Sequence, residues 1–309
     1  MSAATLGAGV IQLAGGVILA PAIPGTVQHV KARLQGRRGP SPLQPYRELR
    51  RLWAKGGAAP LPRTVIYELA PAVVAGSLLI ALLLLPIGGR SLGWPFGNDA
   101  LVLVGLLALG RFAITLAAWD TGGGFGLMGA GRDLTFAVAV EAVLLLVLVL
   151  VALPGGSTNL LALSAQAARP ATWGEPAHWA AAFAFALVAL AETGRQPVDN
   201  PDTHLELTMV HEGPLLEYAG RELAYLQWAT AARHWIMLVL ATELFIPHPG
   251  PFLARLAVLA VSLPVWCVLL AVCESTQAKM RILRVPLFVG AGGAVCLLGL
   301  ASWFAGGGA

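Results

Sequence analysis

Apolar residues run along the chain in eight blocks, at about 3–25, 66–86, 100–118, 134–153, 177–192, 229–247, 253–273 and 283–304. A bilayer-crossing helix needs roughly 20 mostly apolar residues, so each block predicts one crossing. The fifth block is the shortest and is extended at its start by Trp179 and the residues before it, since aromatic rings settle at membrane interfaces. Two of the intervening polar stretches, 26–64 and 193–233, are too long and too charged to be simple turns. In the first, Leu43, Tyr46, Leu49, Leu52 and Trp53 recur at helical spacing opposite Arg47, Glu48, Arg50 and Arg51. That pattern predicts a short basic amphipathic helix on the membrane surface, serving either as a lipid anchor or as a dock for a partner. With no internal repeat and no second domain, residues 1–309 read as one polytopic, all-α integral membrane domain.

Composition agrees with the pattern. The chain has 57% hydrophobic and 12% charged residues and a mean hydropathy of +0.74, against roughly 25% charged residues in soluble domains, which excludes a water-soluble fold. The formal charge of +4 becomes informative only when the 20 Lys and Arg are placed. Sixteen fall in loops on one side of the eight blocks, only Arg90, Arg169 and Arg255 fall on the other, and Arg111 lies inside a block. The positive-inside rule then predicts a bacterial or archaeal cytoplasmic (inner) membrane protein with the basic loops in the cytoplasm and both termini in the periplasm. No positive charge precedes Lys31, so the first block reads as a membrane helix and not as a cleaved signal. No face interleaves basic and aromatic residues, so nucleic acid is not an expected partner.

Metal and nucleotide chemistry find little support. Cys267, Cys273 and Cys296 lack the close spacing of zinc or iron–sulfur ligands and read as packing residues. His204 and His211 stand seven apart, and His211-Glu212 is not part of an H-E-x-x-H pattern. Residues 122–126, GGGFG, lack the Lys-Ser/Thr of a phosphate loop and follow an apolar helix, so these glycines predict a sharp turn.

The chemical signal is acid in oil. A carboxylate at mid-membrane costs roughly 2.5–3.5 kcal/mol even on the milder insertion scale. Glu141 sits about 10 Å along its apolar block, beyond the reach of its side chain to water, and is the main candidate for a proton path. Glu243 also lies in an apolar run, but close enough to Pro247 to reach the periplasmic interface. Glu192 and Glu274 close the fifth and seventh blocks, as solvated ends or as a proton entrance, and Glu68 opens the second. Arg111 could snorkel or pair with a carboxylate such as Glu141. From Glu192 to Tyr218 the chain packs Asp199, Asp202, Glu206, Glu212 and Glu217 with His204 and His211, a dense set of proton-exchanging groups against the membrane.

This stretch resembles the subunit 1 (H) family of complex I, and more closely its branch in membrane-bound [NiFe] hydrogenases of the formate hydrogenlyase and hydrogenase-4 type. The resemblance rests on Glu192-Thr193, Arg195, Pro197, Asp199, Pro201, Glu206-Leu207 and Glu217-Tyr218. It also rests on Arg33-x-Gln35-x-Arg37-x-Gly39-Pro40 with Gln44-Pro45, on Trp119 and Gly126-Leu127-Met128-Gly129 with Arg132, and on Glu141. It covers approximately residues 5–304. Gly194, Asn200, Thr203-His204 and Thr208-Met209 with His211-Glu212 are similar to the hydrogenase branch, and Ala229-Thr230-Ala231 stands where complex I has an early glutamate in its sixth helix. The resemblance implies a membrane-anchoring, proton-path subunit without a redox cofactor of its own. It implies docking of an iron–sulfur small subunit and a hydrogenase large subunit, which hold the iron–sulfur clusters and the NiFe centre, and contact with antiporter-like membrane subunits. Arg33, Gln35, Arg37, Gly39, Pro40, Arg195, Pro197, Asp199, Asp202, His204 and His211 would belong to the docking loops. Glu141, Glu192, Glu206, Glu212, Glu217, Glu243 and Glu274 would carry protons. The rival readings are a quinone-reducing complex I subunit and a stand-alone secondary ion transporter, though the latter lacks the paired broken helices of inverted repeats.

Overall fold

The computed structural model describes residues 3–90, 98–199, 210–248 and 250–306. Among these the chain is helical throughout and has no strand beyond two isolated bridges. Eleven helices follow in order: α1 Ala3–Leu19, α2 Ala22–Leu34, α3 Gln44–Trp53, α4 Val65–Leu84, α5 Ala100–Thr121, α6 Gly124–Ala152, α7 Leu160–Ala167, α8 Pro176–Glu192, α9 Gly220–Phe245, α10 Phe252–Thr276 and α11 Val285–Ala305. Gln12–Leu34, α4, α5, α6, α10 and α11 contain spans long and apolar enough to cross a membrane, and α8 is a shorter apolar helix. With α9 they account for the eight blocks.

Several boundaries differ from the pattern in the sequence, because polar residues extend helices that apolarity alone cannot trace. The first block continues as helix to Leu34, with a break at Ala20–Pro21 where proline supplies no N–H to the ladder. Residues 26–34 of the expected first loop are therefore helical. α6 begins at Gly124, so the expected loop 119–133 shrinks to the turn at Gly122 and Gly123, and Arg132 and Asp133 ride on the helix. α9 starts at Gly220, placing Arg221 and Arg233 on a helix and not in the loop 193–233. The short α7 was not expected at all.

α9 is the core. From Ala231 to Leu244 every residue is buried except the partly buried Arg233. Around it α8 and α11 approach closely through small residues: a Cβ on Gly299 would lie 2.8 Å from Leu150 Cδ2 and 2.9 Å from Ala180 Cβ. Gln12 seals the end of α4, its Nε2 donating to the carbonyls of Leu82 (2.8 Å) and Leu85, acceptors that the helix end leaves without partners. The outer faces of α10 and α11 carry exposed Leu253, Val261, Leu287 and Leu298, as expected of a surface facing lipid or another membrane subunit.

The amphipathic helix is present as α3, but its apolar face packs largely on the chain itself. Leu52 is buried, Trp53 meets Tyr225 of α9 with ring centroids 4.9 Å apart, and Tyr46 donates to the carbonyl of Ile18. Only Leu43 and part of Trp53 remain exposed for a bilayer or partner.

At Gly129 of α6 an added Cβ would lie 2.8 Å from Gly213 Cα. Gly129→Val should therefore lower the midpoint of thermal unfolding in detergent, corresponding to about 1–3 kcal/mol of overpacking. Gly131→Val, whose Cβ meets nothing within 4 Å, should leave it unchanged, and equal effects of the two would refute the close approach.

Candidate functional site

The centre of the bundle on the side of the basic loops is a knot of charge. Arg111, from the middle of α5, is 3% exposed and cannot snorkel. Its Nη2 donates to Glu192 Oε2 at 2.6 Å, its Nε lies 3.8 Å from Asp133 Oδ2, and its Nη1 lies 4.0 Å from Glu141 Oε1. Arg233 of α9 donates to the other oxygen of Glu192 at 3.0 Å. One guanidinium thus touches three carboxylates from two helices. Glu192, expected as a solvated end or an entrance, is 1% exposed and held on both oxygens.

Counting formal charges, two arginines face three carboxylates. A net negative charge in a medium of low polarity costs several kcal/mol, so the balance of the cluster is sensitive to any charge brought near it. Arg111 Nε and Asp133 Oδ1 are buried with no hydrogen-bond partner. They border a void of about 70 Å³ together with Glu192, His211, Arg233 and His234, roomy enough for water.

His211 joins this knot to the loop, its Nε2 3.6 Å from Asp133 Oδ1 and its Nδ1 3.8 Å from Asp199 Oδ2. The approach depends on Gly194, which has a φ of +60° and where a Cβ would stand 2.8 Å from His211 Nδ1. Asp199 also accepts from Lys279 Nζ at 2.7 Å and from the Val210 amide at 3.2 Å. Burial raises the Asp199 carboxyl, but the hydrogen bond from Lys279 and the nearby His211 imidazole outweigh it and hold the group well below the usual carboxylate range.

A second pairing lies beside the first. Arg195 donates through Nε to His234 Nε2 at 2.7 Å and through Nη1 to Glu274 Oε1 at 2.9 Å, and Lys31 donates to Glu274 Oε2 at 3.1 Å. His234 Nδ1 lies 2.8 Å from the Thr230 carbonyl, so that nitrogen carries the proton and Nε2 is the acceptor. Below α3 a cavity of about 540 Å³ is lined by Glu48, Arg195, His211, Tyr218, Gln227 and His234 among others. It shares His211, His234, Thr193 and Thr230 with the small void. On the opposite flank Glu141, its side chain 26% exposed, faces a groove of about 380 Å³ between α5 and α6, lined by Arg111, Phe112 and Val138. Glu141 is therefore half-buried at the side of the bundle, not sealed in its centre. Together these groups form a line of ionisable side chains from the loop cavity to the lateral face.

Other expected residues fall elsewhere. Glu243 is 2% exposed and paired with Ser164 and His248. Glu217 is partly buried against Gly123, and its carbonyl accepts from Tyr67 Oη at 2.8 Å. Glu212 is half-buried, and Glu68 is exposed beside Arg63. Asp202, His204 and Glu206 lie outside the described residues. Arg33, Gln35, Arg37 and Pro40 are exposed and Gly39 half-exposed. Arg195, Pro197 and Asp199 are instead buried within the chain, where their charges and backbone pair internally. Sequence reasoning missed Asp133, Arg233, His234, Ser164 and His248. Asp133 and Arg233 were hidden by boundaries drawn at the apolar runs. A lone serine or histidine gives no signal before its neighbours are known. Among the described residues no group of three His, Cys, Asp or Glu could hold a metal ion.

The chain matches the model of the NADH dehydrogenase family over residues 8–296. It is 32% identical to hydrogenase-4 component C of Escherichia coli (strain K12), over 94% of this chain and 93% of that protein. It is 30% identical to formate hydrogenlyase subunit 4 of the same organism, over 93% and 95%. Its fold is that of a chain in the membrane-bound sulfane sulfur reductase, an archaeal respiratory membrane complex, with a TM-score of 0.84, 20% identity, and coverage of 97% of this chain and 99% of that one.

Two outcomes check the site. Arg111→Met leaves Asp133 without its arginine and Glu192 with only one, and should destabilise the protein by about 3–5 kcal/mol in detergent unfolding; an unchanged midpoint would mean the knot does not hold the bundle together. For Asp199, a folded-state value below the unfolded one gives stability that is complete above about pH 4 and is lost as pH falls through the folded value. Hydrogen exchange at the Val210 amide should therefore be equally slow relative to free peptide at pH 7 and about pH 5, and about tenfold faster in Asp199→Ala. A loss of protection in the wild type between those two pH values would contradict the pairing.

Proposed function

The chain belongs to the NADH dehydrogenase family, and from that premise we propose that it is the membrane-anchoring, proton-path subunit of a complex I-like membrane-bound [NiFe] hydrogenase. The near full-length likeness to hydrogenase-4 component C and formate hydrogenlyase subunit 4 supports the hydrogenase branch. The observation that carries the proton-path part is Arg111 joining Glu192, Asp133 and Glu141 in one buried set.

The chemistry follows from that geometry. The exposed Arg33, Gln35 and Arg37 and the rim of the 540 Å³ cavity would meet the iron–sulfur small subunit and hydrogenase large subunit, which hold the clusters and the NiFe centre. A change of charge or position at the loop acts on His211, which faces Asp199 on one side and Asp133 on the other. Moving positive charge toward Asp133 would favour release of a proton from the carboxylates around Arg111, and withdrawing it would favour uptake. Arg111 couples the response of Asp133 and Glu192 to Glu141, which hands the proton to the lateral groove, where an antiporter-like subunit would sit. The basic loops would face the cytoplasm and both termini the periplasm.

Copurification in mild detergent tests the assembly: iron–sulfur and hydrogenase subunits should accompany the chain, and isolation of the chain alone would favour a separate transporter. In the intact complex, Glu141→Gln and Asp133→Asn should each reduce ions moved per hydrogen turned over by tenfold or more. A parallel fall in both quantities, leaving their ratio unchanged, would show these residues to be structural.

A further inference from the structure

A second ionisable unit lies near the opposite end of α9, where the surrounding loops carry little charge. Ser164, on α7, is completely buried, its Oγ 2.5 Å from Glu243 Oε2 and 2.9 Å from His248 Nε2. His248 Nε2 is 3.4 Å from the same carboxylate oxygen, and His248 Nδ1 is 2.6 Å from the Ile246 carbonyl. All three residues are at most 2% exposed. Ten residues of α9, about 15 Å, separate Glu243 from Arg233, and the intervening Ile236, Met237, Val239 and Leu240 are buried and apolar. This unit is therefore separate from the Arg111 knot.

The geometry restricts where the protons can be. A carbonyl only accepts, so His248 Nδ1 carries a hydrogen and donates it to Ile246. Nε2 is then the nitrogen that titrates. The Ser164 hydroxyl has one hydrogen and two close neighbours, so it donates to one and accepts from the other. Two arrangements satisfy every contact with the same number of protons. In one, a neutral Glu243 carboxyl donates to Ser164 Oγ, and the Ser164 hydroxyl donates to neutral His248 Nε2. In the other, an imidazolium donates from Nε2 to Ser164 Oγ, and the hydroxyl donates to the Glu243 carboxylate. Passage from the first to the second breaks the Glu243 O–H bond and the original Ser164 O–H bond, and forms a new Ser164 O–H bond and the His248 Nε2–H bond. Nothing is oxidised or reduced, and no atom other than hydrogen moves far.

We propose that Glu243, Ser164 and His248 form a proton relay at the charge-poor face of the bundle, a terminal at which protons are exchanged between that face and the interior. Ser164 is the positioning and relaying hydroxyl, and α7 exists in part to present it. That helix is set by the side chain of Asn159, which accepts from the Leu161 amide at 2.9 Å, and by the Leu160 amide, which donates to Asn98 at 2.7 Å. The groups around the relay are the backbone of Gly88 and the guanidinium of Arg255, which act on the Glu243 carboxylate. Arg255 Nε is itself bonded to the Gly250 carbonyl at 3.3 Å, and its guanidinium lies against Gly89. The relay rests on the reading that this chain carries protons.

The test uses the intact complex with wild-type chain, Ser164→Ala and Ser164→Thr, in two measurements. In sealed vesicles, protons moved per turnover should fall tenfold or more in Ser164→Ala and return to within about twofold of wild type in Ser164→Thr, which keeps the hydroxyl. Infrared difference spectroscopy reads the protonated-carboxyl stretch, assigned to Glu243 by its loss in Glu243→Gln. That band should shift in Ser164→Ala and in His248→Gln. Wild-type proton movement in Ser164→Ala, or a carboxyl band indifferent to both substitutions, would overturn the relay. If the wild-type complex moves no protons while the band still shifts with Ser164 and His248, the shared proton stands and the transport reading fails. Any variant that loses the partner subunits on purification is replaced by Ser164→Cys, which is near in size and donates only weakly, and which should fall with alanine and not with threonine.

Discussion

Arg111 is a permanently charged guanidinium buried in the middle of a membrane helix, and the rest of the architecture answers to it. A charge that cannot be neutralised by losing a proton must be met by carboxylates, and here they come from α8 and twice from α6. Those helices are drawn to α5 on the side of the basic loops, while small residues let α8 and α11 close the remainder of the bundle. Arg233 completes the set by taking the second oxygen of Glu192, which leaves the knot one negative charge in excess when every carboxyl is ionised. Structural cohesion and the proposed proton exchange would thus arise from the same imbalance.

The surroundings of the knot determine how it can be used. On one flank His211 links it to Asp199 and the large cavity, and on the other Glu141 opens to a lateral groove. The half-exposed position of Glu141 fits the proposed transfer to a neighbour better than a sealed centre would. Toward the other end of α9 the helix becomes dry. Trp235 Nε1 is the sole described polar side-chain atom of its central run buried without a partner, and ionisable groups resume only at Glu243. A membrane protein that held a continuous wet path would leak protons, so an apolar stretch between the two sets of ionisable groups fits the proposed gated transfer.

Some of the chemistry was legible before any tertiary contact was known: Glu192 and Glu274 could equally have been solvated ends, but the cost of placing acid in hydrocarbon is so large that Glu141 and Glu243 declare themselves. Their partners did not. Asp133 precedes the apolar run and looked like a loop residue, yet α6 carries it into the knot. Arg195 and Asp199 looked like surface charges in a docking loop, yet each is turned inward by bonds to residues about eighty positions away. Ser164 had no signal in the chain at all, since a serine gains meaning only from what lies within 3 Å.

Hydrophobicity is a property each residue carries alone and sums along the chain, so the amino-acid sequence determined the membrane setting, the eight apolar blocks, the sidedness of charge and the motifs that place the family. Pairing is a property of two residues and depends on the rotation and height of helices packed side by side. Only the tertiary structure could decide that Arg111 meets Glu192 across eighty-one positions, that Glu141 looks sideways, and that Glu243 shares Ser164 with His248.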